Sequence, residues 1–310
     1  MTSTPVVPEF AVVAVDGSDE GYAAVSFAAR EALRSGLELR LVHVMPGPVP
    51  VGPLLTGTEQ GAGAYASETL ASATGVAADA APEMPITTQA LTGNRVSKII
   101  DFAEGARFIA VGRRRSSALD RAWSGGTLDG VASRARCPVF VVPTVTKPGD
   151  GPPRVVVALK SAEHSAELFE AAFRDADELG AELSVVHAWK LPGVYDDIIA
   201  RRVTEATCNR EQKFAIRDFL GPWQESYPLV PTRIQVVHEH PVRALIEASR
   251  EADRLVLVKP LHGGSVHHLG RTARGALRFA ECPVHVVAAK RRDELTMSPL
   301  AVEKEGELVP

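Results

Sequence analysis

The sequence predicts an α/β protein built as two tandem, doubly wound domains, each with a five-stranded parallel sheet. Three observations predict it. Landmarks recur along the chain at a near-constant offset. Within each half, short apolar runs alternate with segments of helical periodicity, as expected of a parallel sheet covered on both faces. The 310 residues are 45% hydrophobic and 23% charged, an ordinary globular composition long enough for two separate cores.

The repeat is legible at both ends of each half. Val12-Val13-Ala14-Val15-Asp16-Gly17-Ser18 is matched by Val155-Val156-Val157-Ala158-Leu159-Lys160-Ser161. Gly36 and Gly180 stand 144 positions apart, as do His43 and His187. Cys137-Pro138-Val139 and Cys282-Pro283-Val284 close the halves at an offset of 145. A period of this size duplicates a whole domain and is too long for a solenoid. The join, Thr144 to Pro153, is dense in proline and glycine and reads as a linker. The expected domains are 1–147 and 152–290. The charged segment 291–310 lacks apolar periodicity and is expected to be disordered.

The elements follow in order. Ala11 to Val15 is a short apolar run of the kind found in a buried parallel strand. Glu20 to Ser35 carries Val25, Ala28, Ala29, Ala32 and Leu33 at helical spacing, and Gly36 supplies a left-handed C-terminal cap. Leu39 to Val44 is the second strand. Pro46 to Gly63 is rich in proline and glycine and reads as a long loop, ahead of a helix from Tyr65 to Ala80. A strand at Ile86–Leu91, a helix at Val96–Glu104 and a strand at Phe108–Val111 come next. A helix from Gly126 to Arg134 and a strand from Val139 to Val142 complete the half. The second half repeats the order, with strands near 154–159, 182–188, 233–238, 254–258 and 284–288.

Composition narrows the function. The net charge is −4, which argues against a strongly basic nucleic-acid binder, and 5% aromatics argue against a single-strand stacking platform. Cys137, Cys208 and Cys282 form no disulfide framework, and their odd count fits a reducing compartment. Met1 to Glu9 has no basic residue and no long apolar run, and no stretch of apolar residues is long enough to span a bilayer. These features predict a soluble, cytoplasmic protein.

Doubly wound sheets bind ligands beyond the carboxyl ends of their strands, where the strand order reverses. That points to Asp16 after the first strand and Gly112 after the fourth, if the two are neighbours. Gly112-Arg113-Arg114-Arg115-Ser116-Ser117 is followed by Ser124-Gly125-Gly126-Thr127 at the opening of a helix. Glycine after a strand permits close backbone approach to a ligand, and unpaired N–H groups at a helix N-terminus favour an anion. Ser124 or Thr127 adds a hydroxyl, and the three arginines add charge. The set suits a polyphosphate. The alternative is an ordinary loop with a solvated basic run.

Val15-Asp16-Gly17-Ser18, Val42-His43-Val44, Val111-Gly112 and Gly125 ahead of Cys137-Pro138-Val139 together resemble the universal stress protein family, and the resemblance covers nearly all of both halves. It implies a Rossmann-like α/β fold with strand order 3-2-1-4-5, adenine nucleotide binding in many members, and dimers that often form through the fifth strand. Its nucleotide motif is G-x2-G-x9-G-[S/T]. Carried over, Asp16 contacts the nucleoside, Val42 lies beside adenine, and Gly112 and Gly125 are the first and third glycines. Arg115 stands where the second glycine is expected, and Gly126 where serine or threonine is expected, with Thr127 one position late. Arg115 either blocks the close phosphate approach that glycine allows or supplies a cation to the phosphates. The resemblance thus implies ATP or a relative in the first half, with Mg²⁺ arriving with the nucleotide. It also implies a protein partner and a homodimer, and the fifth-strand segments, Pro138 to Val142 and Pro283 to Ala288, are expected to pair either between the two domains or between chains.

The second half departs further. Lys160 replaces Asp16 by the offset, and Lys259-Pro260 follows the fourth strand where Gly112-Arg113 is expected. Exchange of a carboxylate for lysine removes an acceptor and reverses the charge, which predicts a degenerate site. Gly270-Arg271-Thr272 still opens a helix. The run Gly61–Ala66 fits a dinucleotide pattern without the required preceding strand. His262, His267 and His268 have no partners at metal-ligand spacing and read as a solvated loop. His43 and His187 read as structural, and Cys137 and Cys282 as small core residues. No nucleophile–base pair is apparent. Three functions therefore stand open: a nucleotide-binding stress-response module, an interaction module without nucleotide, and a slow ATPase.

Overall fold

A computed structural model describes residues 9–47, 58–113, 125–144, 151–160, 165–189, 198–259 and 269–288. The first half runs β1 (Phe10–Ala14), α1 (Asp19–Arg34), β2 (Glu38–Met45), α2 (Thr58–Ala80), β3 (Ile86–Thr92), α3 (Arg95–Phe102), β4 (Phe108–Arg113), α4 (Gly125–Arg134) and β5 (Val139–Pro143). The second runs β6 (Arg154–Ala158), α5 (Ser165–Leu179), β7 (Glu182–Trp189), α6 (Ile198–Ser226), β8 (Thr232–His238), α7 (Pro241–Ser249), β9 (Arg254–Lys259), α8 (Arg271–Phe279) and β10 (Val284–Ala288).

Every strand expected from the sequence forms. One reading is corrected: the loop expected over Pro46–Gly63 ends early, because α2 begins at Thr58. Gly61 and Gly63 lie inside this helix, where a β-carbon on either would meet no other part of the chain within 4 Å. Each costs the helix about 1 kcal/mol relative to alanine, too little to break an alanine-rich run docked on the sheet. The dinucleotide-like run Gly61–Ala66 is accordingly helix interior.

Local chemistry sets the ends of α1. Ser18 accepts a hydrogen bond from the Gly21 amide at 3.1 Å, an N-cap, with Asp19 and Glu20 in the first turn. Beyond Ser35 the chain leaves through Gly36 at φ +66°, the expected left-handed cap.

The strands form one ten-stranded sheet in the order β3-β2-β1-β4-β5-β10-β9-β6-β7-β8. Each half is parallel and has the order 3-2-1-4-5. The halves join where β5 meets β10 antiparallel, with Val139 opposite Val286, Phe140 opposite His285 and Val141 opposite Val284. The fifth strands thus pair with each other within one chain.

Side-chain alternation along each strand feeds two faces. On one face, Phe10, Val12, Val42, Val111, Val131, Val139 and Val141 merge with Leu255, Leu257, Leu277, Val284 and Val286 into a single core under α3, α4, α7 and α8. On the other face the core is divided. Ala11, Val13, Leu39 and Leu41 pack under α1 and α2, and Val155, Val157, Leu183 and Val185 pack with α5 and α6. Glycine lets the helices on the shared face approach. A β-carbon on Gly130 of α4 would come within 2.8 Å of Val96, and one on Gly275 of α8 within 2.6 Å of Val242. Among the described residues, no helix is long and apolar enough to cross a membrane.

Candidate functional site

β1 and β4 are neighbours, with Ala14 opposite Val111, so their carboxyl ends open together where the strand order reverses. The Val15 amide donates to the Val42 carbonyl at 2.9 Å, carrying the β1–β2 ladder one residue further. The chain then turns through Asp16, Gly17 and Ser18. The Asp16 carboxylate is exposed, and its Oδ1 accepts from the Ser18 amide at 3.1 Å and from the Ser18 hydroxyl. This Asx turn orients the carboxylate before any ligand arrives.

A second element holds the same turn. The Tyr65 hydroxyl, from α2, donates to the Asp16 carbonyl at 3.1 Å. A β-carbon on Gly17, which has φ +81°, would lie 2.4 Å from that hydroxyl. Tyr65 also meets the His43 ring edge-on at 5.8 Å. His43 Nδ1 lies 2.8 Å from the Val15 carbonyl, so this nitrogen carries the proton. His187 repeats the contact to Leu159 at 3.0 Å, and both histidines are structural as expected. Tyr65 is the neighbour of Asp16 that sequence reasoning missed. Its only signal in the sequence is a single aromatic residue in an alanine-rich helical segment.

The other expected residues fall in different environments. Val42 is fully buried in the shared core with Val12 and Val111. Gly112 lies against the first turn of α1: a β-carbon there would come within 2.3 Å of the Glu20 carbonyl oxygen and 2.7 Å of the Gly21 nitrogen. Close packing therefore requires glycine at this position whether or not a ligand binds. Gly125, Gly126 and Thr127 open α4, with Gly126 exposed and Thr127 half-buried. Arg114, Arg115 and Ser124 lie outside the described residues.

Arg113 is engaged elsewhere. Its guanidinium donates to the Ala280 carbonyl, just past the C-terminus of α8 in the other half. The second half returns the contact: Lys259 Nζ donates to the Ala135 carbonyl and, at 3.4 Å, to that of Ser133, at the C-terminus of α4. Each cation holds the negative end of the opposite helix. Cys137 lies near Lys259 and Cys282 near Arg113, yet burial dominates and pushes the thiols up to about 11 and about 12. These are inert core cysteines.

The registers also correct the alignment of the second crevice. Val139 and its repeat counterpart Val284 sit opposite Ile109 and Leu255. Ile109 therefore corresponds to Leu255, Gly112 to Val258 and Arg113 to Lys259. The one-residue error arose because Gly112 and Lys259 were each taken as the residue after an expected strand, and the strand expected at 254–258 runs one residue further in the repeat than the strand at 108–111. Lys160 is exposed at the position of Asp16. Gly270 caps α8 without a side-chain hydrogen bond. His262, His267 and His268 lie outside the described residues. Among the described residues no group of three or more histidine, cysteine or acidic side chains is arranged to hold a metal ion.

Comparison with known proteins agrees with this architecture. The model of the universal stress protein family matches residues 11–143 and again 152–288. The universal stress protein Rv2005c of Mycobacterium tuberculosis is 27% identical over 294 residues, covering 89% of this chain and 95% of its own. Rv1996 of the same organism is 28% identical over 302 residues, covering 89% and 93%. A crystal structure of a universal stress protein from Archaeoglobus fulgidus covers 90% of this chain and 96% of its own, with a TM-score of 0.64 and 19% identity. With two matches that together span nearly the whole chain, the protein belongs to the universal stress protein family and carries the family domain twice.

Proposed function

We propose that the first domain binds ATP or a related adenine nucleotide in the crevice beyond β1 and β4, and that occupancy alters a surface read by a protein partner. One observation carries the reading. Neighbouring β1 and β4 end beside an exposed carboxylate, Asp16, that the Ser18 turn already orients. In this reading Asp16 takes a ribose hydroxyl, since an ionised carboxylate only accepts hydrogen bonds. Gly112 keeps the strand end against α1, and Gly125, Gly126 and Thr127 offer their N–H groups to the phosphates. Arg115, three residues after Gly112 in the sequence, adds positive charge to this segment, while Arg113 is held at Ala280. Mg²⁺ comes with the nucleotide, held by its phosphates and water.

The second domain acts as a silent partner: Lys160 and Val258 stand where an acceptor and a glycine would be needed. A homodimer expected through the fifth strand would have to use another surface, because β5 and β10 already pair with each other.

The test is calorimetric titration of nucleotide-stripped protein with MgATP, alongside Asp16→Ala. Binding near one per chain, lost in the variant, is expected. Binding near two would give the Lys160 half a working site. Absence of heat and of thermal shift would overturn the reading. It would favour the interaction module, for which the engagement of Arg113 at Ala280 is the supporting observation.

A further inference from the structure

The seam between the halves contains four buried polar groups that the candidate site does not use. Arg254, at the start of β9, has its side chain 2% exposed. Its Nη2 lies 2.6 Å from Glu31 Oε1 of α1, and its Nη1 lies 3.1 Å from Asp175 Oδ1 of α5. Asp175 Oδ2 lies 2.6 Å from His285 Nδ1, and the His285 ring stacks on Phe140 at 4.4 Å. The guanidinium also sits 5.0 Å from the Phe140 ring. One cation from the second half therefore joins two carboxylates, one from each half.

The repeat makes this arrangement informative. Glu31 and Asp175 occupy the same position of the repeat, 144 residues apart. Phe108 pairs with Ala11 as Arg254 pairs with Val155, so Arg254 stands where the first half has Phe108. His285 stands opposite Phe140 and is its repeat counterpart. The inner face of the first half thus presents one carboxylate and three aromatic rings, Phe27, Phe108 and Phe140. Its other cation at Glu31, Arg34, approaches from the outer side with its side chain 40% exposed. Two first-half faces set together would bury two Glu31 carboxylates against phenylalanines, each with only the part-exposed Arg34 beside it and no buried cation to bridge them, which is unfavourable.

We propose that Arg254 is the specificity determinant of the fifth-strand interface: the first domain's face accepts a second-domain face, in its own chain or in a swapped copy, and rejects another first-domain face. Only a face bearing Arg254 completes the network. A second copy of this chain therefore cannot assemble by pairing β5 with β5.

The direct test is Arg254→Phe in the full chain, which gives the second domain the residue that the first has at this position. Backbone amide exchange is read at the residues of β5 and β10 that point across the seam, with β1 and β6 as references. Exchange about tenfold faster at the seam, with the references unchanged, is expected when Arg254 no longer bridges the two buried carboxylates, which keep only Arg34 and His285 beside them. Adding Glu31→Gln and Asp175→Asn to Arg254→Phe removes both charges and is expected to restore most of the protection. Unchanged seam protection in Arg254→Phe, or no recovery in the triple variant, overturns the proposal. If Arg254→Phe does not fold, Arg254→Met with the same neutral pair tests the same rescue.

Discussion

Gly112 is where packing and ligand chemistry ask for the same residue. The sequence points to it through a motif, and the structure adds a second reason, since a β-carbon would meet α1 backbone that cannot move aside. Gly112→Ala is therefore expected to cost about 1–3 kcal/mol of stability, as overpacking against rigid backbone does, and urea unfolding checks it. A loss of nucleotide binding in that variant would not by itself implicate ligand contact. Asp16→Ala is cleaner, because it removes an exposed carboxylate and one Asx turn and leaves the core intact. Tyr65 shows the opposite limit. Nothing in the spacing of an alanine-rich helix tells that its one tyrosine reaches the Asp16 carbonyl across the chain.

At the scale of elements, helix ends matter most. The C-terminal carbonyls of α4 and α8 are each met by a cation from the other half, Lys259 on α4 and Arg113 on α8. Burial depresses the pKa of Lys259, and its Nζ meets the carbonyls at the end of α4. Lys259→Met leaves the Ala135 carbonyl without this donor and is expected to cost about 1–2 kcal/mol. Chemical denaturation of the full chain checks this, and an unchanged midpoint would show that the contact carries no energy. The arrangement also has a functional consequence. The same helix that offers Gly125 to Thr127 at its N-terminus is gripped at its C-terminus by the second domain, so the two domains share the helix that the proposed nucleotide would touch.

For the whole molecule the seam sets the response to acid. Burial by itself would raise the pKa of Asp175. The charges of His285 and Arg254 and their hydrogen bonds outweigh it and hold the group down at about 2. The groups around it are Arg254, His285, Glu178 and, through Arg254, Glu31; burial and the Asp175 charge push Glu178 up. A depressed carboxylate stabilises the fold above its unfolded value of 3.8, and that stability is lost as pH falls toward about 2. The contribution is about 2 kcal/mol, and Asp175→Asn should flatten the acid limb of a stability–pH curve between pH ~4 and ~2. A curve of wild-type shape in the variant would show that Asp175 does not govern the acid response.

The sequence by itself determined the order of elements and the doubling of the domain. Strand and helix periodicity, a glycine cap and a near-constant offset are local or translational signals, and they survive without knowledge of contacts. It misplaced the start of α2, where two glycines resemble a loop until the packing of the helix is known. It aligned Lys259 with Gly112 because apolar composition does not mark where a strand ends to the residue, and the strand expected at 254–258 ran one residue too far in the repeat. Only the tertiary structure decided that β5 and β10 close one sheet, that Arg113 and Lys259 exchange helix ends, and that Glu31 and Arg254, 223 residues apart, share a buried ion pair. Those are contacts between distant segments. Their energies depend on burial and partner geometry, which come into being only when the two halves meet.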